Sequence, residues 1–258
     1  MKKVYALHGA DNKAGVTMLS LSIAQIIAKE FCDKDILLMS LSLGQSDHYL
    51  REDVSNIDYY KNRIDSGLKI EKSAILQGRL TENLYMIDGL KEELQQRLYF
   101  PNNIKLFVNN LRDEFDLVIL DTGSHIDSGL AIGGLIASDV KYLVLPQSEI
   151  GLERYIKRKE IYQKSGIDFD YYIVNRFDDN DVVTLDYIRK KTRIKGMKPY
   201  IVREVKESRR AEYEHKTFIE LKDNLFCQDI DKITSGIKVE LNWQNIEQKK
   251  RKKWISFI

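Results

Sequence analysis

The sequence predicts an α/β fold: a mostly parallel, seven-stranded sheet flanked by helices. Two observations lead there. Short apolar runs alternate with longer amphipathic stretches along most of the chain, the pattern of strands joined by crossover helices. The runs "LVIL", "YLVL" and "YYIV" lack polar alternation, as expected of strands covered on both faces. With only 3 prolines and 14 glycines in 258 residues, the elements run long and the linkers short. That length suits one large domain.

Taken in order, strands are expected at 3–7 ("KVYAL"), 36–41 ("ILLMSL"), 83–87 ("NLYMI"), 117–120 ("LVIL"), 142–145 ("YLVL"), 171–174 ("YYIV") and 199–202 ("PYIV"). Helices are expected at 15–31, 103–114, 152–164, 182–191 and 207–224, where apolar residues recur at helical spacing. The segment 47–81 is mixed and reads as helical. No repeat or low-complexity stretch divides the chain. From residue 227 the composition changes, so the reading is a main domain over 1–226 and a C-terminal appendage over 227–258.

Composition narrows the function classes. Hydrophobic residues make up 43% and charged residues 31%, the balance of a globular chain. Cys32 and Cys227 have neither metal-ligand spacing nor a disulfide pattern, which suits a reducing cytoplasm. No window approaches the roughly 18 apolar residues of a membrane span. The expected location is cytoplasmic, peripheral to the inner face of the membrane if the C-terminus binds there. His8, His48, His125 and His215 are scattered and support no metal or nucleophile arrangement.

The stretch "HGADNKAGVTMLS" follows the first strand and opens the first helix. A strand, a tight loop and a helix N-terminus together aim backbone N–H groups and the positive end of a helix dipole at a phosphate. The pattern G-x-x-x-x-G-K-[ST] laid on residues 10–17 puts Ala10 at the first glycine, Gly15 at the second, Val16 at the lysine and Thr17 at the magnesium-binding hydroxyl. Half the motif is present. Small residues at such a turn also arise from packing alone.

The surroundings add weight. "HGADNKAGVTMLSLSIAQIIA" resembles the opening of the ParA/MinD class of deviant P-loop ATPases, and more closely the CpaE/TadZ pilus-assembly branch, where the second lysine is often replaced. "DILLMSLSLGQSDHYL", "ENLYMIDGL", "FDLVILDTGSHID", "ASDVKYLVLPQSEIGLERY" and "DYYIVNRFD" follow in the family's order, over residues 2–214. The resemblance implies a P-loop NTPase fold with ATP and magnesium as cofactors. It places Lys13, Ala14, Gly15, Val16, Thr17 and Met18 around the phosphates, Thr17 and Asp121 at the metal, and Asn175 and Arg176 at the adenine. Read without it, Asp121 can be a loop or capping residue, Asn175 a turn former and Lys13 a solvated lysine.

The departures from the family are informative. Asp11 stands where the class has its signature lysine, Val16 where the second lysine belongs, and Ser40 and Ser42 where it has two switch aspartates. Phosphoryl transfer depends on positioning and electrostatic stabilisation, so losing these groups raises the barrier by several kcal/mol. The resemblance then implies a scaffold that localises a pilus or secretion machine, acts as a homodimer, binds ATP and hydrolyses it poorly. No catalytic residue is assigned. A slow magnesium-dependent ATPase switch and a DNA-binding partition protein remain the competing readings.

The C-terminus reads "KKRKKWISFI". Lys249, Lys250, Arg251, Lys252 and Lys253 adjoin Trp254 and Phe257, and MinD-like proteins end in a similar membrane-targeting segment. Each cation near an anionic surface contributes about 1 kcal/mol. The same tail suits docking on the protein itself or on a second copy, with nucleic acid as the weaker alternative.

Overall fold

The seven apolar runs form one sheet in a computed structural model that describes residues 2–43, 49, 54–77, 80–194 and 198–243. They are β1 Lys3–Gly9, β2 Ile36–Ser40, β3 Leu84–Ile87, β4 Leu117–Asp121, β5 Val140–Pro146, β6 Tyr171–Phe177 and β7 Tyr200–Arg203. The order is β3-β2-β4-β1-β5-β6-β7. Every pairing between these strands is parallel, so the mostly parallel sheet expected from the sequence is wholly parallel.

The helices are α1 Val16–Glu30, α2 Lys61–Ser66, α3 Pro101–Glu114, α4 Gly129–Ala137, α5 Glu149–Lys164, α6 Leu185–Thr192, α7 Ser208–Glu214 and α8 Asn224–Glu240. Because strand side chains alternate between faces, β1 contributes Val4 and Ala6 to one core and Tyr5 and Leu7 to the other. The first core is closed by α2 through α6, with Ile104, Phe107, Leu130, Leu152 and Ile188 among its members. The second is closed by α1, α7 and α8, through Leu19, Ile23, Ile27, Ala211, Ile230 and Ile233. Of the segment 47–81, the described part holds α2 and two short 3-10 turns, Ile57–Tyr60 and Lys72–Ala74. Among the described residues, no helix is long and apolar enough to cross a membrane.

Two helices depart from the expected list. The stretch "GLAIGGLIA" is apolar at nearly every position, shows no helical period, and contains glycines that disfavour a helix by about 1 kcal/mol each. It nevertheless forms α4, because its glycines let it sit directly on α3. A β-carbon at Gly133 would lie 2.6 Å from both the Pro101 carbonyl oxygen and the Ile104 β-carbon. One at Gly129 would lie 2.0 Å from the Tyr99 carbonyl oxygen. Contact between the helices therefore outweighs the propensity that argues against α4.

The single helix expected at 207–224 is two elements. α7 stops at Glu214, His215 takes a left-handed φ of 51°, and α8 starts after Asp223, whose side chain accepts from the Phe226 amide. Between them a turn is fixed by Thr217, whose hydroxyl donates to Gln25 Oε1 at 2.7 Å and whose amide donates to Glu220 Oε2 at 2.9 Å. The division expected between residues 226 and 227 falls inside α8. Phe226, Ile230, Ile233 and Ile237 form its buried stripe, an i, i+4, i+7, i+11 pattern that completes the second core. At its end Glu240 accepts hydrogen bonds from Tyr5 Oη at 2.8 Å and Tyr171 Oη at 2.6 Å. Trp243 then packs on Phe31, with ring centroids 5.2 Å apart. The tail residues Lys249, Lys250, Arg251, Lys252, Lys253, Trp254 and Phe257 lie outside the described residues.

The approach of α3 to α4 makes Gly133 sensitive. Gly133→Ala is expected to destabilise by about 1–3 kcal/mol through overpacking, read as a lower midpoint in urea unfolding with an unchanged slope.

Candidate functional site

β1 lies between β4 and β5, with Leu7 opposite Asp121 and Gly9 opposite Val144. The loop that leaves it is tied at its base to both neighbours. The Gly9 amide donates to the Gly123 carbonyl at 2.7 Å and the Ala10 amide to the Val144 carbonyl at 2.9 Å. The loop ends at Gly15, the residue before α1, which takes φ 85°. A β-carbon there would sit 2.4 Å from Asn175 Nδ2, so both the backbone angle and the space demand glycine.

α1 begins with no side-chain cap and no acidic residue in its first turn. The amides of Val16, Thr17 and Met18 therefore have no partner within the helix, and the positive end of the dipole faces outward beside the end of β4. Thr17 Oγ1 donates to Asp121 Oδ2 at 2.6 Å. Asp121 is buried, and burial raises its pKa; the bonds from Thr17 and from the Gly123 amide oppose that rise, while the charge of Asp88 adds to it. The two oxygens assigned to the metal by resemblance thus meet directly. Ser40 is opposite Asp121 in the sheet, and its hydroxyl lies 3.2 Å from that of Ser42. A small cavity opens here, lined by Thr17, Ser20, Ser40, Met86 and Asp121.

The remaining assigned residues divide into two groups. Ala14 is buried, and its carbonyl accepts from Asn175 Nδ2 at 2.8 Å. Asn175 is brought to the loop by a β-bulge, since Asn175 pairs with Val202 and Phe177 with Arg203, leaving Arg176 as the extra residue. Its amide nitrogen thus binds the loop's own backbone. Lys13 and Arg176 are both exposed and both left-handed, at φ 59° and 54°. Non-glycine residues rarely hold this conformation, and its occurrence twice at one site marks a backbone fixed by its surroundings. Val16 is only 6% exposed and turns under the loop, with Cγ2 3.1 Å from the point a β-carbon on Gly9 would occupy.

Asp11 is buried and ion-paired. Arg154 Nη1, from α5, lies 2.8 Å from Oδ1 and 2.9 Å from Oδ2 of Asp11, and the Asn12 amide donates to Oδ1 at 2.8 Å. One turn further along α5, Arg158 Nη1 donates to the carbonyls of Ala10 at 3.2 Å and Ser124 at 3.0 Å. Ser124 Oγ donates to Asn12 Oδ1 at 2.7 Å. Neither arginine is given a role by the motifs read from the sequence. The one signal available was their i, i+4 spacing on the expected helix 152–164, which places both on one face.

His8, the residue before Gly9, is wholly buried. Thr122 Oγ1 donates to the Leu7 carbonyl at 2.9 Å, so it accepts from His8 Nδ1, also at 2.9 Å. The ring stacks on Phe169 with 6.2 Å between centroids. Burial, with a smaller contribution from the Arg158 charge, lowers its pKa to about 3.

No protein-family model matches the chain, and no curated protein matches it. Solved structures do. A ParA family ATPase from Chlorobium tepidum TLS superposes with a TM-score of 0.77 at 17% identity, covering 91% of this chain and 99% of that one. The septum site-determining protein MinD complexed with Mg-ADP, from Pyrococcus horikoshii OT3, gives 0.72 at 15% identity, with 92% and 99% covered. An ATP complex of a Cyanothece McdA variant gives 0.69 at 14% identity, with 94% and 97% covered. At these identities the likeness is one of fold. The parallel sheet and its flanking helices have the ParA/MinD P-loop NTPase architecture.

His8 gives the loop region an acid sensitivity whose sign is fixed. Its folded pKa lies below the ordinary value of 6.5, so its neutral form is favoured by folding and stability is lost as pH falls from 6.5 toward 3. Between pH 6.5 and 4.5 the wild type is expected to lose about 2 kcal/mol more than His8→Phe, measured by urea unfolding at each pH.

Proposed function

We propose that this chain is a nucleotide-binding positioning protein, closest in character to the CpaE/TadZ branch, that hydrolyses ATP poorly. In this reading it works as a homodimer that localises a pilus- or secretion-type machine at the membrane. The observation that carries the reading is the disposition of charge at the loop. Val16 offers no cation, and Asp11 adds a carboxylate where the class has a lysine; Arg154 neutralises that carboxylate. The hydroxyls of Ser40 and Ser42 cannot serve as the acidic pair that orients water.

The cradle itself fits a phosphate and a hard cation. The Val16, Thr17 and Met18 amides converge at a bare helix N-terminus. Thr17 Oγ1 and Asp121 Oδ2 are oxygen donors of the kind magnesium takes, and a cation between them would favour the charged carboxylate that burial disfavours. Bound Mg-ATP would supply the charge that distinguishes two states of the protein. Lys13 and Arg176, both exposed, are cationic side chains of this chain that could approach it. The Nδ2 of Asn175 is already engaged by Ala14, which leaves its Oδ1 for an adenine.

The same Thr17–Asp121 contact favours a second reading, a slow ATPase switch, because it retains the metal-holding pair. Calorimetric titration with Mg-ATP separates the two when paired with phosphate release. Saturable heat, release no faster than a protein-free blank, and binding weakened about tenfold or more in Asp121→Ala are the expected results. Brisk turnover by the wild type would refute the scaffold reading, and the absence of heat would refute nucleotide binding.

The tail is assigned to an anionic membrane surface on its charge and apolar content alone. Co-sedimentation with vesicles containing phosphatidylserine is expected to disappear when residues 249–258 are deleted; retention after deletion would exclude the tail as the anchor.

A further inference from the structure

In a P-loop, bound phosphate ordinarily collects the loop amides and holds the backbone in place. Here the loop from Gly9 to Gly15 is held by the protein's own side chains from three directions. From α5, Arg154 grips Asp11 and Arg158 grips the Ala10 carbonyl. From the segment after β4, Ser124 bonds Asn12, while its own carbonyl is held by the same Arg158. From β6, Asn175 bonds the Ala14 carbonyl. Asp11 is the only loop side chain with a negative charge, and it is buried, with 12% of its side chain exposed.

We propose that Asp11 and Arg154 form an internal brace that takes over the loop-ordering role of a bound phosphate, so that the loop holds its shape whether or not a nucleotide is present. The carboxylate is the anion and Arg154 its receptor, reaching across 143 residues of sequence. The start of α5 is set for this task. Ser148 caps the helix, accepting from the Gly151 amide at 3.4 Å, and Gly151 lets the helix close on the loop, since a β-carbon there would lie 2.3 Å from Pro146 Cγ and 3.5 Å from Asp11 Oδ2. The pair is half-buried, with the Arg154 side chain 53% exposed, so it contributes less than a fully buried pair; the cost of removing Arg154 falls on the Asp11 carboxylate, which is largely shut away from water. The brace accounts for a lysine replaced by aspartate at a site otherwise shaped for anions. Lys13, exposed at the loop tip, holds a left-handed φ of 59°. Arg154 and Asp11 are positioning residues in this scheme and touch no ligand.

The inference rests on the nucleotide reading only for what the brace replaces, and its test is independent of ATP. Lys13 is a trypsin site at the loop tip, so the rate at which full-length protein acquires a new N-terminus at Ala14, followed by mass spectrometry, reports local opening of the loop. Without nucleotide, Asp11→Asn and Arg154→Gln are each expected to accelerate this cleavage about 5- to 30-fold. The double variant should match either single variant instead of multiplying the two effects, and Arg154→Lys should recover part of the protection. Unaltered cleavage in the single variants, or multiplicative effects in the double variant, would overturn the brace. A calorimetric blank with the expected cleavage pattern would instead support the brace and overturn the nucleotide reading.

Discussion

The pairing of β1 with β4 on one side and β5 on the other is the constraint on which the site depends. Parallel registry brings the carboxyl ends of neighbouring strands to one edge of the sheet, where the chain reverses direction into its helices. Leu7 opposite Asp121 carries the Thr17 hydroxyl to the carboxylate, and Gly9 opposite Val144 places the loop under the start of α5. The bulge in β6 adds the third contact by turning Asn175 toward Ala14. The partners in each of these contacts lie more than 100 positions apart in sequence. The sheet alone makes them neighbours.

On that platform the loop combines features usually separated. Its backbone has the shape that attracts phosphate, while its side chains supply an internal anion and two arginines occupied within the protein. In the proposed reading, attraction at the site comes from fixed dipoles and from a cation that Thr17 and Asp121 would hold. Such a site can recognise a charged ligand without supplying the mobile charges that stabilise phosphate in flight. In the proposed reading, recognition joined to slow chemistry would suit a protein whose occupied state has to last while something else assembles around it.

Much of this was legible in the sequence, for reasons that differ by element. The seven strands could be read because buried parallel strands are unbroken apolar runs, and Thr17, Asp121 and Gly15 because local motifs fix their place at strand ends and turns. α4 was hidden because its stability comes from contact with α3, which no periodicity within "GLAIGGLIA" records. The break before α8 was hidden because it follows from a hydrogen bond between Thr217 and Gln25, 192 residues apart. For the same reason the sign of Asp11 was visible in the sequence, and the arginine that neutralises it was not. Sequence motifs record what a residue is, and the electrostatics of a site depend also on what faces it.

The bond between Tyr5 and Glu240 joins residues 235 positions apart, near the start of the first strand and at the end of the last described helix. A nascent chain emerging from the ribosome exposes the apolar underside of β1 long before α8 exists to cover it. Contacts of such long range form late and slowly, because the entropy of closing so large a loop must be overcome first. During synthesis α1 covers this half of the core early while α7 and α8 arrive last, and chaperone capture during that interval is the natural consequence of how the polypeptide is threaded.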